Sequence, residues 1–306
     1  MCHSMNATQV RRETRLWIRA ACSVWASAFA SSTVLALILT CASNTSAQKW
    51  PLHFPEPPPE ASGVIKNVRF ATVEATNLQL DVYRPRGVTT SSPALIFYTL
   101  YWPAEGASTR ETNDWYKGWA RIAAAHGIVA VIPDLRAVVG TGTAAAPVRP
   151  LGDDFQRLVA HLVEHSSDYG LDPERIAVFA ESGATWAALP AVEDPRQTAI
   201  KAAVIYYGSA SVDTFRQDLP LLWVRAGLDS PRTNSDIARA SSLAISQNAP
   251  VTLLNHPTGH HGFEGRDDNA ATRQTIEQTL EFVRRATMPD FQRAIRTGPA
   301  SPPARP

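Results

Sequence analysis

Short apolar runs alternate with longer segments of helical periodicity through most of this chain. Short runs rich in Val, Ile, Leu and Ala are typical of strands that are buried on both faces, whereas apolar residues three and four apart are typical of amphipathic helices. Strands are expected near residues 68–74, 78–83, 94–98, 128–132, 176–179, 202–206, 221–224 and 251–254. Helices are expected near residues 115–125, 153–165, 183–192, 235–247 and 272–285. This alternation predicts an α/β fold with a mostly parallel sheet of about eight strands and helices on both faces.

The segment 175–188 has one serine at a turn between an expected strand and an expected helix. Small residues, Ala180 and Ala184, stand two positions on either side of Ser182. Small side chains at these positions let the strand and the helix approach closely and leave the serine hydroxyl exposed above the sheet edge. Ser182 is therefore the best candidate nucleophile. The alternative is an ordinary turn in which Ser182 caps the helix.

Two later strands end near the residues that a serine nucleophile requires. A serine hydroxyl needs a base that accepts its proton, and that base needs a carboxylate that orients it. Asp229 follows the apolar run 221–226, and His261 lies in a glycine-flanked loop after the run 251–254. Each of the three lies just beyond the carboxyl end of an expected strand, in the order Ser, Asp, His. Open α/β sheets place their active sites at this edge.

Several segments carry a resemblance to a known family. They are LDVYRP at 80–85, VIPDLR at 131–136, YGLDPERIAV at 169–178, AAVIYYG at 202–208 and HGF at 261–263. From about residue 68 to 285 the chain resembles the esterase and dienelactone-hydrolase-like group of the α/β-hydrolase superfamily, with a serine where dienelactone hydrolases have a cysteine. The resemblance implies Ser182 as the nucleophile, Asp229 as the acid and His261 as the base. It implies no cofactor and no metal.

The resemblance also implies an oxyanion hole made of backbone N–H groups. Gly183 is expected to supply one donor, and Leu100 or Tyr101, in the loop after the strand at 94–98, is expected to supply the other. Esterases of this kind often have His-Gly-Gly-Gly in that loop, but this chain has the sequence TLYW at 99–102. The residues between 207 and 221 are too few for the cap that many relatives insert there, so no large cap domain and an open cleft are expected.

Each member of the candidate triad has rivals nearby. They are His260 and His256 for the base, and Asp213 and Asp218 for the acid. The His-Gly-Phe match favours His261 over its neighbours. Asp229 also suits a simple turn, since Gly-Leu-Asp-Ser has turn chemistry. Glu181, beside the nucleophile, suits an elbow-stabilising or pocket-lining residue better than a general acid.

A different class of enzyme is indicated by the sequence HLVEH at 161–165, which matches the H-x-x-E-H pattern of some zinc peptidases. His161 and His165, one turn apart, could share a helix face and bind zinc, with Glu164 as the base. The spacing identifies no further glutamate ligand, and His165 also suits a helix C-terminus. We therefore expect no metal site here.

The first 47 residues have the features of an export signal. Four arginines precede an uncharged, largely apolar stretch at 20–40, and Thr45, Ser46 and Ala47 form a small-x-small cleavage site. An uncleaved anchor is the alternative, because the stretch approaches the ~20 residues that span a bilayer. Cleavage would remove all three cysteines, and with them any disulfide or thiolate ligand. A periplasmic or secreted protein that does not contact the membrane after cleavage is expected.

The rest of the chain divides into a lead-in, a domain and a tail. Residues 48–66, rich in proline, are expected to be extended, residues 67–287 to form the α/β-hydrolase domain, and residues 288–306 to form a disordered tail. The whole chain has 29 Lys and Arg against 28 Asp and Glu. Because the leader holds four arginines and one glutamate, the remainder is slightly acidic and unsuited to nucleic acid.

Together these features predict an exported serine hydrolase that cleaves a small-molecule or glycan-linked carboxylic ester through an acyl-enzyme. A peptidase or amidase that uses the same triad is one alternative. A non-catalytic binding protein is another, because the oxyanion loop departs from the family pattern. Aromatic residues near that loop could stack on a sugar or aryl group, or form an ordinary aromatic core. They are Tyr98, Tyr101, Trp102, Trp115 and Tyr116.

Overall fold

The computed structural model describes residues 52–99, 108–136 and 149–297. The expected export signal lies outside the described residues. Among the residues that are described, no helix is both long enough and apolar enough to cross a bilayer.

Eight strands form one sheet in the order β1-β2-β4-β3-β5-β6-β7-β8. The strands are β1 (Ser62–Val73), β2 (Thr76–Pro85), β3 (Ser92–Phe97), β4 (Val129–Pro133), β5 (Leu171–Glu181), β6 (Ile200–Tyr206), β7 (Leu221–Ala226) and β8 (Val251–His256). β2 pairs antiparallel with β1 and with β4, and every other pair is parallel. The predicted mostly parallel sheet of about eight strands is confirmed.

Helices cover both faces of this sheet. They are α1 (Thr109–Thr112), α2 (Asp114–Ala125), α3 (Arg149–Glu164), α4 (Ser166–Tyr169), α5 (Thr185–Glu193), α6 (Pro231–Ser246), α7 (Phe263–Arg266), α8 (Ala270–Ala286) and α9 (Pro289–Thr297). Successive residues of a strand point to opposite faces, so Val131 packs in the core under α3, α5 and α6, while Ile132 packs in the core under α2 and α8. Because both faces are buried, the central strands have nearly continuous apolar runs.

Two strands begin earlier than the sequence predicted. β1 begins at Ser62 instead of near residue 68, and its pairing with β2 has register shifts on both sides of Val68. These irregularities break the alternation of apolar and polar residues that identifies a strand. β5 begins at Leu171, where that residue pairs with Ser92 before a further register shift. The expected lead-in at 48–66 therefore includes the start of the sheet.

The tail expected to be disordered contains a helix, α9, so that expectation is wrong for residues 289–297. Gln292 is only 4% exposed, and its Nε2 donates to the backbone oxygens of Lys201 at 2.7 Å and Ala286 at 2.6 Å. Phe291 lies under the guanidinium group of Arg285. The helix is held by contacts with residues distant in sequence, which the polar composition of the tail did not indicate.

The connection between β6 and β7 consists of residues 207–220 and contains no helix or strand. No cap domain is therefore inserted at this point, as predicted. The carboxyl ends of β5, β6, β7 and β8 lie side by side at the same edge of the sheet. The candidate site residues follow three of these strands.

Candidate active site

Ser182 occupies a strained turn between β5 and α5. It begins the 3-10 turn Ser182–Ala184 and has φ of +47°, in the left-handed region that non-glycine residues rarely adopt. The hydroxyl of Thr185 donates to the backbone oxygen of Ser182 at 2.6 Å. Ala180 and Ala184 are both buried. The small residues of the motif are thus packed where the strand and the helix meet.

Gly208, just after β6, is a part of this turn that sequence reasoning missed. A Cβ atom at Gly208 would lie 2.5 Å from Thr185 Oγ1 and 2.6 Å from the backbone oxygen of Ser182. Such distances are impossible for a real side chain, so only glycine fits beside the serine. The glycine that ends the run AAVIYYG was the available signal, but the sequence does not show which backbone it approaches.

The structure brings the three candidate triad residues together. Ser182 Oγ lies 2.7 Å from His261 Nε2, and His261 Nδ1 lies 2.7 Å from Asp229 Oδ2. The Asp229 side chain is only 6% exposed, and its Oδ1 accepts a hydrogen bond from the backbone N–H of Ser230 at 2.6 Å. The His261 side chain is 43% exposed. A buried carboxylate therefore contacts one side of the imidazole, and the serine hydroxyl contacts the other.

The loops that carry Asp229 and His261 are bound to each other. The backbone N–H of Leu228 donates to the oxygen of Gly259 at 2.8 Å. A Cβ atom at Gly227 would lie 2.2 Å from the backbone oxygen of Pro257, so the two loops are in direct backbone contact at this glycine. The side chain of Asn234, on α6, donates to the backbone oxygen of Asp229 at 3.4 Å. These contacts fix the distance between the acid and the base.

The rival bases have other partners. His260 Nδ1 lies 2.8 Å from Asp267 Oδ1, and the His260 N–H donates to Oδ2 of the same carboxylate at 2.7 Å. His256 is buried, and its Nε2 lies 3.1 Å from Thr272 Oγ1. Burial lowers the pKa of His256 below its ordinary value. Both histidines therefore hold the loop around His261 instead of contacting Ser182.

The rival acids also lie in other contacts. Asp218 pairs with Arg216 at 3.0 Å, and this hydrogen bond lowers the pKa of the carboxyl group. Asp213 is exposed, and its backbone oxygen accepts from the side chain of Gln247 at 2.8 Å. The aspartate in contact with His261 is Asp229.

The expected oxyanion hole is described only in part. Gly183 follows Ser182 in the 3-10 turn and is exposed at the site. Leu100 and Tyr101 lie outside the described residues. The chain is described again from Ser108, and there the buried Arg110 binds Asp134 and Asp81, each at 2.7 Å. Burial opposes the charge of Arg110, but these two carboxylates outweigh it and raise its pKa.

The aromatic residues expected near that loop are divided between the two cores. Tyr98 is fully buried and lies 5.1 Å from the ring of Phe155. Tyr116 is also buried, on the other face of the sheet. These two rings belong to the packing of the fold and are not available to stack on a sugar or aryl group, while Trp115 is half-buried. Tyr101 and Trp102 lie outside the described residues.

The H-x-x-E-H segment lies on α3 and at its end. His161 Nε2 lies 2.7 Å from the hydroxyl of Tyr169, and His165 Nδ1 lies 3.1 Å from Asp168 Oδ2. Among the described residues, no three His, Cys, Asp or Glu side chains are grouped as metal ligands. Both histidines have partners on α4, so their contacts are those of a helix end.

A group of four side chains, which we call the acid cluster, lies behind His261. Its members are Glu181, Tyr207, Glu264 and Tyr116. The Tyr207 hydroxyl lies 2.5 Å from Glu181 Oε2 and 2.9 Å from Glu264 Oε1, and the Tyr116 hydroxyl donates to Glu181 Oε1 at 3.2 Å. The ring of Tyr207 lies 4.7 Å from the ring of His261. Sequence reasoning noted Glu181 but missed Tyr207 and Glu264, since nothing in their spacing indicates that they meet.

The carboxyl groups of the acid cluster are hard to ionise. Removal from water raises the pKa of Glu181 to about 7, although hydrogen bonds from Tyr207 and Tyr116 and the charge of His261 act in the opposite direction. Removal from water, followed by the charge of Glu181, raises the pKa of Glu264 well above its ordinary value. The two carboxyl groups therefore oppose each other's ionisation.

Comparison with solved structures identifies the fold. A brefeldin A esterase, described as a bacterial homologue of human hormone sensitive lipase, is 18% identical with a TM-score of 0.60 over 76% of this chain and 79% of its own. Esterase Est22 with p-nitrophenol is 13% identical with a TM-score of 0.59 over 92% of this chain and 89% of its own. An esterase of Pyrobaculum calidifontis is 16% identical with a TM-score of 0.57 over 75% and 86%. No protein-family model and no curated protein matches the chain.

At these identities the likeness establishes the fold. The chain has the α/β-hydrolase fold, as its sequence segments predicted. The closer likeness to dienelactone hydrolases stays a prediction.

Proposed function

We propose that this protein is an exported serine hydrolase that cleaves carboxylic esters through an acyl-enzyme. The observation that carries the proposal is the series of hydrogen bonds from Ser182 to His261 to Asp229, with both contacts at 2.7 Å. This is the arrangement of nucleophile, base and orienting acid that acyl transfer requires. The similar solved structures described above are esterases, which favours an ester over other acyl compounds.

The proposed reaction begins with attack of Ser182 Oγ on the ester carbonyl carbon, while His261 Nε2 accepts the serine proton. The C–O bond to the alcohol then breaks, and His261 returns the proton to the departing oxygen. Water, activated by the same nitrogen, attacks the acyl-enzyme and releases the acid and Ser182. Asp229 holds Nδ1 as the protonated nitrogen throughout, which leaves Nε2 free to accept.

The oxyanion formed in each half of the reaction needs donors that face it. Gly183 is the proposed first donor, because it follows Ser182 in the turn. Leu100 or Tyr101, after β3, is the proposed second donor. No glycine is required for a backbone N–H to donate.

The proposed substrate is a small-molecule or glycan-linked ester. No cap is inserted between β6 and β7, which suits a substrate that enters from an open side. Two exposed apolar side chains stand near the triad in sequence, Trp186 at 61% exposed and Leu228 at 54% exposed. They would provide apolar contact for one part of the substrate.

The test of the nucleophile is covalent labelling. A fluorophosphonate probe should label the purified protein, and mass spectrometry should find the label on Ser182. Ser182→Ala should abolish both labelling and hydrolysis of p-nitrophenyl esters, whereas Ser242→Ala, at an exposed serine of α6, should leave both unchanged. Labelling that persists in Ser182→Ala would overturn the assignment. A panel of matched esters and amides separates the esterase from a peptidase or amidase.

Export is proposed from the sequence of the leader. Four arginines, an apolar stretch and the small residues ending at Ala47 suit removal by signal peptidase. N-terminal sequencing of the exported protein should give Gln48 as the first residue. A membrane-bound protein that keeps its leader would favour the anchor instead.

A further inference from the structure

If Glu181 and Glu264 were both charged, the acid cluster would have too few protons for all of its hydrogen-bond contacts. The Tyr207 hydroxyl contacts Glu181 Oε2 at 2.5 Å and Glu264 Oε1 at 2.9 Å. A hydroxyl has one proton and can donate it to only one of these oxygens. The second contact therefore needs a proton on a carboxyl group, which then donates to the tyrosine oxygen.

The surroundings of the two carboxyl groups show which one holds that proton. Glu264 is 0% exposed, and its Oε2 has no hydrogen-bond partner among the described residues. A charged carboxylate in that position would be costly, whereas a neutral acid is tolerated. Glu181 accepts from Tyr116 on one oxygen and from Tyr207 on the other, which is how a charged carboxylate is stabilised.

Backbone strain indicates that this arrangement is maintained at a cost. Tyr207 has φ of +31°, in the region that bulky residues avoid. It immediately precedes Gly208, which touches the turn of Ser182, and its ring packs on His261. The unfavourable conformation places the hydroxyl group between two acids and the ring against the base. Strain of this kind is concentrated at functional sites.

We infer that Glu181 is a positioning residue whose negative charge stabilises the protonated His261 formed during ester cleavage, and that Tyr207 and a neutral Glu264 keep that charge on Glu181. The inference rests on the proposed function. Glu181 immediately precedes Ser182, whose hydroxyl lies 2.7 Å from the imidazole. Burial raises the pKa of Glu181 and the charge of His261 opposes that rise, so the two groups lie within electrostatic reach of each other.

Other charged and titratable groups near His261 come from several elements. Asp229 follows β7, Tyr116 lies on α2, and Glu181 and Tyr207 end β5 and follow β6. On α7, Glu264 belongs to the acid cluster, and Arg266 donates to the backbone oxygen of His261 at 3.5 Å. The pair of His260 and Asp267 lies on the same loop. Of these groups, Asp229 and Glu181 are the two that place negative charge beside the imidazole.

Two substitutions of equal size separate charge from packing. Glu264→Gln keeps a neutral group that can donate to Tyr207, so kcat/KM should remain within about threefold of wild type. Glu181→Gln removes the charge and keeps the shape. Burial raises the pKa of Glu181 to about 7, so its charge is fully present only above that pH. Because His261 is partly exposed, we expect a loss in kcat of roughly tenfold at pH 8, with little change in KM.

The decisive measurement is the pH dependence of kcat/KM for a p-nitrophenyl ester in the three proteins, after fluorophosphonate labelling and thermal melting show each to be folded. The acid limb should move to lower pH in Glu181→Gln and should stay in place in Glu264→Gln. NMR titration of the His261 ring should show the same displacement without relying on turnover.

The outcomes distinguish this inference from the proposed function. An active wild type whose acid limb and ring titration are unmoved in Glu181→Gln overturns the role of Glu181 alone. Equal displacement in both variants overturns the neutral state of Glu264. A wild type that hydrolyses no ester and takes no label at Ser182 overturns the proposed function, and this inference with it.

Discussion

Replacing Asp229 by asparagine tests the candidate triad with almost no change in volume. Both oxygens of Asp229 accept hydrogen bonds, Oδ2 from His261 Nδ1 at 2.7 Å and Oδ1 from the N–H of Ser230 at 2.6 Å. Asparagine has one acceptor and one donor in their place. It can therefore satisfy only one of its two neighbours.

The orientation of the amide decides the activity. If its oxygen faces Ser230, its NH₂ faces His261 Nδ1, which must accept, so the imidazole proton moves to Nε2 and the base is lost. If its oxygen faces His261, its NH₂ meets the N–H of Ser230 at a site that is 6% exposed. Two donors that face each other there, with a hydrogen bond lost, cost about 2 kcal/mol. Roughly one molecule in thirty then has a competent base.

The missing charge adds a second loss. The neutral amide no longer stabilises the imidazolium in the transition state, which costs about 2 to 3 kcal/mol more. The two losses together correspond to about a 1,000- to 5,000-fold fall in kcat/KM for Asp229→Asn. Asp213→Asn, at an exposed aspartate between β6 and β7, is the matched control and should keep full activity.

The kcat/KM of both variants is measured from the absorbance change during hydrolysis of a p-nitrophenyl ester. Circular dichroism checks that each variant is folded. A folded Asp229→Asn protein within tenfold of wild type would refute the reasoning, because it would mean that neither the tautomer nor the charge of Asp229 matters. A similar loss in Asp213→Asn would show that the acid lies in the loop between β6 and β7 and not after β7.

Two further predictions concern single residues. His261→Ala should lose at least about 10,000-fold in kcat/KM, because it removes the base. His260→Ala breaks only the pair with Asp267 and should lose less than about tenfold. The reverse result would show that His260 is the base. Burial raises the pKa of Glu193 from 4.5 to about 7, so between these pH values the folded state holds a proton that the unfolded state releases. The stabilisation of the folded state that results is complete below about pH 4.5 and is lost as the pH rises through about 7. Wild type should therefore lose about 3 kcal/mol of unfolding free energy relative to Glu193→Gln between pH 4.5 and 8 in urea titrations, and parallel pH profiles would contradict it.

The sequence indicated those features that depend on local pattern. Apolar runs located all eight strands, most clearly β3, β4, β6 and β7, because burial on both faces leaves little else in them. The order of Ser182, Asp229 and His261 followed from the strand ends, since parallel strands bring their carboxyl ends to one edge.

Features that depend on distant partners could not be predicted in the same way. Arg110 binds Asp81 on β2, and Tyr207 contacts Glu264 on α7, through side-chain hydrogen bonds that the apolar periodicity of the sequence does not indicate. The helix α9 looked like a polar tail because its anchoring residue, Gln292, is itself polar. Register shifts likewise concealed the start of β1 at Ser62.

The connection between β6 and β7 limits where this scaffold could accept a grafted domain. Its first part is fixed, because no side chain fits at Gly208 and its backbone oxygen accepts from the indole of Trp223 at 2.8 Å. Its last part is fixed too, because the N–H of Phe215 donates to Gln247 at 2.7 Å and Arg216 donates to the backbone oxygens of Val192, on α5, and Gln197. Between them, Ser211 is exposed. A lid engineered to change substrate preference therefore has a tolerant point of attachment at Ser211, three residues from the glycine that touches the turn of the nucleophile.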